Sequence, residues 1–197
     1  MDEFSSIRNY ISKFLSFNDA EWELHQSLLT RKWLKKGELL LTGGQVCNHV
    51  SFINTGHFRT YNIVHNEERT SNFAFEGNYV TDYCSFLTRQ PSSDFIVAMD
   101  DAHVLHLSYE NMQSAFEKSP VWQKFGRLIA EHIFVMVAVR AQSLLFKTPE
   151  ELYLDLMKER PKVIERIPQH YIASYCGIKP ESLSRIRKRL SEKPVDK

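Results

Sequence analysis

The stretch Gln169-His170-Tyr171-Ile172-Ala173-Ser174-Tyr175-Cys176-Gly177-Ile178-Lys179-Pro180-Glu181-Ser182-Leu183-Ser184-Arg185-Ile186-Arg187-Lys188-Arg189-Leu190 restricts the possible folds more than any other part of the chain. Ala173 is small enough for two helices to cross closely, and four residues on Gly177 suits a turn that needs positive φ. Ile172, Ile178, Leu183 and Ile186 can then share one small core. Pro180 fits the first turn of a second helix, where its missing N–H goes unused. On that helix Leu183, Ile186 and Leu190 share one face, which leaves Glu181, Ser184, Arg185 and Lys188 on the opposite one. The pattern predicts a helix-turn-helix whose outer face suits a DNA major groove, early residues at base edges and later cations at phosphates. Lys179 departs from it, offering no acceptor where Ser or Thr usually caps the helix. The competing reading is a surface hairpin with a solvated basic face. Agreement of Ala, Gly and the apolar positions over about twenty residues argues against it.

Charge is distributed accordingly. The net charge is +1, yet residues 158–197 carry eleven Lys or Arg against five Asp or Glu, so the basic excess sits at this end. Hydrophobic content of 43% and charge of 25% are those of a folded globular protein. The N-terminus is acidic where a signal peptide would be basic, and no apolar run approaches the roughly 20 residues that span a bilayer, so no membrane association is expected. Three scattered cysteines without a C-x-x-C read as reduced thiols in a cytoplasmic protein.

Residues 4–33 have helical spacing, with a second helix starting at Asp19 and running through Trp22 and Leu28. From about 34 to 107, short β-branched and aromatic runs separated by glycines predict a small antiparallel barrel or sandwich. Between Pro120 and Lys147 a long helix carries the seam Val121, Phe125, Leu128, His132, Val135, Val139, Gln142 and Phe146, with a second stripe of Trp122, Ile129, Ile133 and Met136 beside it. Two stripes need two things to bury, most simply the barrel and a partner chain. Val163-Ile164 reads as a short strand or a loop before the helix-turn-helix. The expected domains are 1–145, a sensor barrel with its dimerisation helix (about 120–147), and 146–197, the DNA-binding unit.

This layout resembles the Crp/Fnr superfamily of bacterial transcription regulators nearly end to end. The resemblance rests on Lys36-Gly37-Glu38-Leu39-Leu40-Leu41 with Gly44, on Phe52-Ile53-Asn54-Thr55-Gly56-His57-Phe58-Arg59, and on Ile172-Ala173-x-x-x-Gly177-Ile178 with Glu181-Ser182-Leu183-Ser184-Arg185-Ile186. It implies an α+β chain: an N-terminal antiparallel jelly-roll barrel with flanking helices, a long dimerisation helix and a C-terminal winged-helix-type helix-turn-helix domain. It also implies double-stranded DNA and a second copy of the chain as partners, leaves RNA polymerase open as another, and points away from an enzyme. Glu181 and Arg185 match the positions with which the family's cyclic-AMP-responsive member reads bases. Arg185 can pair with guanine and Glu181 with cytosine, each worth about 1–3 kcal/mol of discrimination. Ser182 and Ser184 are expected at phosphates or bases, and Lys179, Arg187, Lys188 and Arg189 at phosphates.

Cyclic-nucleotide binders of the family carry Gly-Glu at the start of a short helix and Arg-Ser or Arg-Thr beyond it, for the ribose and phosphate. Here the aligned residues are Gly77-Asn78 and Ser92-Ser93, followed by Asp94. Losing two charged partners weakens binding by about a hundredfold to ten-thousandfold, so classical cyclic-AMP binding is not expected. Arg89 can swing in to restore a phosphate site, or Asn78, Tyr79, Ser92 and Ser93 can line a pocket for a different ligand or for none. No cofactor is evident and the effector stays open. Two rival functions exist: a cupin-like metal enzyme using His49, His57, His65, His103 and His106, disfavoured because no His-x-His occurs, and a ligand-binding module acting through protein partners, disfavoured by the basic C-terminal end.

Overall fold

Asn18 starts the first well-capped helix. Its side chain accepts from the Glu21 N–H at 2.9 Å while the Glu21 carboxylate accepts from the Asn18 N–H at 2.8 Å, a reciprocal capping box. In the computed structural model, which describes residues 3–192, α1 spans Ser5–Ser12 and α2 spans Asp19–Ser27. The helical reading of residues 28–33 is corrected, because Leu29–Leu34 forms strand β1. Leu28, Leu29 and Trp33 are apolar in either period, and antiparallel pairing with β8 (Ala102–Ser108), from Leu29↔Leu107 to Leu34↔Ala102, decides the outcome.

The remaining strands are β2 (Leu39–Leu41), β3 (His49–Thr55), β4 (His57–Val64), β5 (Glu67–Phe75), β6 (Tyr79–Val80) and β7 (Phe95–Ala98). They form two four-stranded sheets, ordered β1-β8-β3-β6 and β2-β7-β4-β5. The predicted barrel is therefore a jelly-roll-like pair of sheets, and one core joins them: Leu34, Ile53, Val80, Ala102 and Val104 from the first, with Leu41, Phe58, Ala74, Ile96 and Ala98 from the second. Gly56 makes the β3–β4 turn possible. Its φ is +84°, and a Cβ there would stand 2.7 Å from the Ala102 Cβ and 2.9 Å from the Asp101 carbonyl oxygen.

A second core lies on the other face of the β1-β8-β3-β6 sheet. Side chains alternate along β3, so Ile53 enters the space between the sheets while Phe52 joins Ile7, Ile11, Trp22, Leu105, Trp122 and Phe125. Helix α4 (Tyr109–Lys118) and the start of α5 (Pro120–Phe146) supply Ala115, Trp122 and Phe125. The Trp122 indole N–H donates to the Glu21 carbonyl at 3.2 Å. Further along α5 the apolar side chains emerge into solvent, with Phe134 73%, Leu145 76% and Phe146 81% exposed. An 18-residue window of this helix has a mean hydropathy of 1.5, enough by length and composition alone to suit a membrane crossing.

The chain divides into two compact units, one of residues up to 62 with 73–134, the other of residues 63–72 with those from 135 onward. In the second, α6 (Pro149–Glu159), α7 (Pro161–Arg166), α8 (Gln169–Tyr175) and α9 (Pro180–Glu192) pack around Leu152, Leu156, Val163, Ile167, Ile172, Leu183 and Ile186. Val163-Ile164 belongs to α7, correcting the strand-or-loop reading: Pro161 opens the helix and Val163 is fully buried. The tip of the β4–β5 hairpin joins this unit, where the Thr70 N–H donates to Ser174 Oγ at 2.9 Å and Ser174 Oγ donates to the Glu68 carbonyl at 3.2 Å. No strand follows α9 among the described residues.

Candidate nucleic-acid interface and effector site

Helix α8 ends because Gly177 adopts φ +72°. The Gly177 N–H then bonds the Ser174 carbonyl and the Ile178 N–H the Ala173 carbonyl, both at 3.0 Å, so the last carbonyls of α8 are satisfied in a Schellman turn. Pro180 opens α9, where the Ser182 and Leu183 N–H groups both donate to the Lys179 carbonyl, at 3.0 and 3.2 Å. Ile172, Ala173 and Leu183 are at most 2% exposed where the two helices cross. These packing positions leave Glu181, Ser184, Arg185 and Lys188 exposed on one face of α9. Lys179, Arg187 and Arg189 are exposed as well, and Ser182 is half-buried.

The cations differ in their present engagements. Arg185 donates to Ser182 Oγ at 3.1 Å, a weak tether from which its guanidinium can swing to a base. Lys188 lies 3.9 Å from Glu192, one turn on. Arg189 forms an ion pair with Glu150 of α6, so a phosphate would have to compete for it. Arg140 braces the first helix instead: its guanidinium donates to the Tyr175 carbonyl at 2.9 Å and lies 3.8 Å from the Tyr175 ring.

The residues expected at an effector site are dispersed. Gly77, at φ +81°, and Asn78 form the β5–β6 turn, with the Gly77 N–H on the Ile53 carbonyl and the Ile53 N–H on the Asn78 carbonyl, both at 2.9 Å. Asn78 therefore does not begin the short helix. That helix, α3 (Tyr83–Thr88), is capped by Asp82, whose Oδ1 accepts from the Ser85 N–H at 3.0 Å. Tyr79 points the other way, packed on Phe52 and Tyr10 at 5.2 and 5.3 Å, and burial pushes its phenol far up. Asp82 escaped the sequence reading, although Asp before Tyr83 and three residues ahead of Ser85 is a recognisable helix start.

Ser92 and Ser93 do come together with acids. Ser92, 4% exposed, donates to Asp82 Oδ2 at 2.6 Å and accepts from the Asp94 N–H at 2.9 Å. Asn62 donates to Ser93 Oγ at 3.1 Å and to Asp94 Oδ1 at 2.6 Å. Burial pushes the Asp94 carboxyl up, Asp82 pushes it further, and the Asn62 hydrogen bond opposes both. A corner holding two carboxyl groups repels a phosphate. Arg89 does not relieve it: at φ +58°, it donates to the Cys47 and Phe86 carbonyls at 3.0 and 3.1 Å, bonds Asn48 and lies 4.5 Å from the Tyr109 ring.

The strand histidines are engaged separately. His57 lies 2.8 Å from Asp100, His103 stacks on Trp33 at 4.0 Å, and His49 stacks on His106 at 4.7 Å. Among the described residues no group of three His, Cys, Asp or Glu could hold a metal ion.

Residues 31–119 match the cyclic nucleotide-binding domain family. The whole chain shares the fold of a Crp/Fnr-family transcriptional regulator from Eubacterium rectale, with 21% identity, TM-score 0.67, and coverage of 93% of this chain and 88% of that one. FixK2 from Bradyrhizobium japonicum matches at 17% identity and TM-score 0.66 over 83% of this chain and 84% of its own. The c-di-GMP-responsive global regulator CLP of Xanthomonas campestris matches at 14% identity and TM-score 0.65 over 88% and 92%. No curated protein sequence matches the chain. Residues 31–119 are thus similar to the cyclic nucleotide-binding domain, and the chain has the fold of these solved regulators.

Proposed function

We propose that this protein is a sequence-specific DNA-binding transcription regulator that acts in the cytoplasm as a symmetric dimer. The observation that carries the reading is the α8–Gly177–α9 arrangement, with its packed crossing at Ala173 and its exposed row of Glu181, Ser184, Arg185 and Lys188. Arg185 and Glu181 read base edges, and Lys179, Arg187 and Lys188 hold phosphates. The exposed apolar stretch Phe134–Phe146 supports dimerisation through α5, because a contiguous apolar surface of this kind is costly to leave in water. Two heads then read half-sites one helical turn, about 34–36 Å, apart.

The Asp82–Ser92–Asp94 corner supports an effector other than cyclic AMP held in the usual way. A relative that responds to c-di-GMP is consistent with a fold whose effector chemistry varies. The test is a pair of variants, Arg185→Ala and Glu181→Ala, assayed by fluorescence anisotropy on an operator selected by the wild type and on its single-base variants. Each should lose discrimination at one base pair by about five- to 150-fold. Unchanged preference in both would refute base readout by this helix.

A further inference from the structure

The space between the two sheets is apolar at one end and polar at the other. Leu34, Ile53 and Val104 belong to its core. Two residues along the same strand faces stand Lys32, Ser51 and His106. With Cys47, His49, Thr81 and neighbouring residues they line a cavity of about 210 Å³. At ~30 Å³ per water, that is room for about seven waters. A core is ordinarily closed by apolar side chains, and polar groups at one end of it offer hydrogen bonds and charge to a polar guest.

The lining is already ordered. Ser51 Oγ lies 2.8 Å from His106 Nδ1, and the His49 ring stacks on His106. Thr81 donates to the His49 carbonyl at 3.1 Å, and Cys47 Sγ lies 3.3 Å from Thr81 Oγ1. Burial pushes His106 down to about 4, with the charges of His49 and Lys32 acting the same way. His49 is lowered by burial and by Lys32, Glu110 opposing and Arg89 adding. Lys32 lines the same cavity as both rings. Among the described residues no Asp or Glu lines the cavity, and Glu110, which acts on His49 from outside the lining, is opposed there by Arg89, so its electrostatics are the reverse of those at the Asp82–Asp94 corner: the lining offers one cation, two imidazoles and hydroxyls. A single ammonium balances one negative charge, which fits a carboxylate better than a phosphate dianion.

We propose that this cavity binds a small organic carboxylate of about four to eight heavy atoms, its charge on Lys32 and its polar end on the Ser51–His106 pair. The proposal rests on the reading of the two-sheet domain as the effector domain and names the chemical class of its ligand. An anion there also favours protonated His49 and His106, which then donate to it.

The test uses the full chain in thermal unfolding and calorimetry with acetate, pyruvate, lactate and butyrate, and with inorganic phosphate and cyclic AMP as comparison ligands. At a hundredfold excess over Kd, at least one carboxylate should raise Tm by about 5–10 °C. Lys32→Met should weaken that Kd at least tenfold. Lys36→Met, an exposed change outside the cavity lining, should leave it unaltered. Absence of binding by all four carboxylates, equal affinity in Lys32→Met, or phosphate binding as tightly as the best carboxylate would each overturn the assignment. The titration involves no DNA, so a failed operator selection would remove the regulator reading and leave this result standing.

Discussion

Val139 stands in the middle of the exposed stretch of α5 and offers a quantitative test of dimerisation. It is 55% exposed in the single chain, and Val135, one turn earlier, is 57% exposed. Full burial of a valine is worth about 1.5–3 kcal/mol, so covering the exposed half of Val139 contributes about 0.8–1.6 kcal/mol per protomer. A two-fold axis repeats the contact, giving about 2–3 kcal/mol per dimer and a dissociation constant about 30- to 150-fold weaker once it is lost. Val139→Asp removes the contact and also sets two carboxylates in the seam, so these figures are a lower bound. The assay is sedimentation equilibrium across a concentration series, with Glu131→Ala as control, since Glu131 is exposed and pairs with Arg127 one turn away. A dissociation constant unchanged by Val139→Asp would refute the seam.

Three further outcomes are expected. Lys188→Ala should weaken binding to all DNA sequences alike and reduce the salt slope by about 0.9, read from affinities between 50 and 200 mM salt. Calorimetry should show no micromolar cyclic-AMP binding by the wild type, and Ser92→Arg combined with Asp94→Ala should tighten it by about ten- to a hundredfold by restoring a charged hydrogen bond and removing an anion. His25 and His106 are both pushed down to about 4, foremost by burial, from 6.5. The unfolded chain therefore binds more protons between those values, and stability falls as pH drops from 6.5 toward 4, by on the order of 2 kcal/mol per histidine at pH 5. His25 stacks on Trp122 at 4.3 Å, and both its ring nitrogens are buried without a partner among the described residues. His25→Phe keeps the stack, so the melting temperature at pH 5 should rise toward its value at pH 7.5; an equally steep acid loss would refute this.

The helical hairpin α8–α9 was legible because its determinants are local. Ala173, Gly177, Leu183 and Ile186 lie within one supersecondary unit, and each local preference agrees with the packing. Strand β1 was not legible, since its type is decided by pairing with β8, far along the chain. The start of the short helix α3 was not legible for a related reason: Gly77 attracts attention as a turn residue, whereas the helix start depends on Asp82, whose second oxygen is claimed by Ser92. The direction taken by Arg89 depends on Cys47, Asn48 and Tyr109, three partners that no spacing rule connects. The cavity likewise unites residues of separate strands, visible only once Ser51 pairs opposite His106.

Selection of bound duplexes from a random pool, performed on the intact chain with and without pyruvate, addresses the central claim most directly. The account predicts a near-palindromic consensus whose half-sites are centred about 10–10.5 base pairs apart or a multiple of that, with a G·C pair in each half-site at the position Arg185 reads. Recovery of no consensus, with binding lost evenly as salt rises, would contradict it.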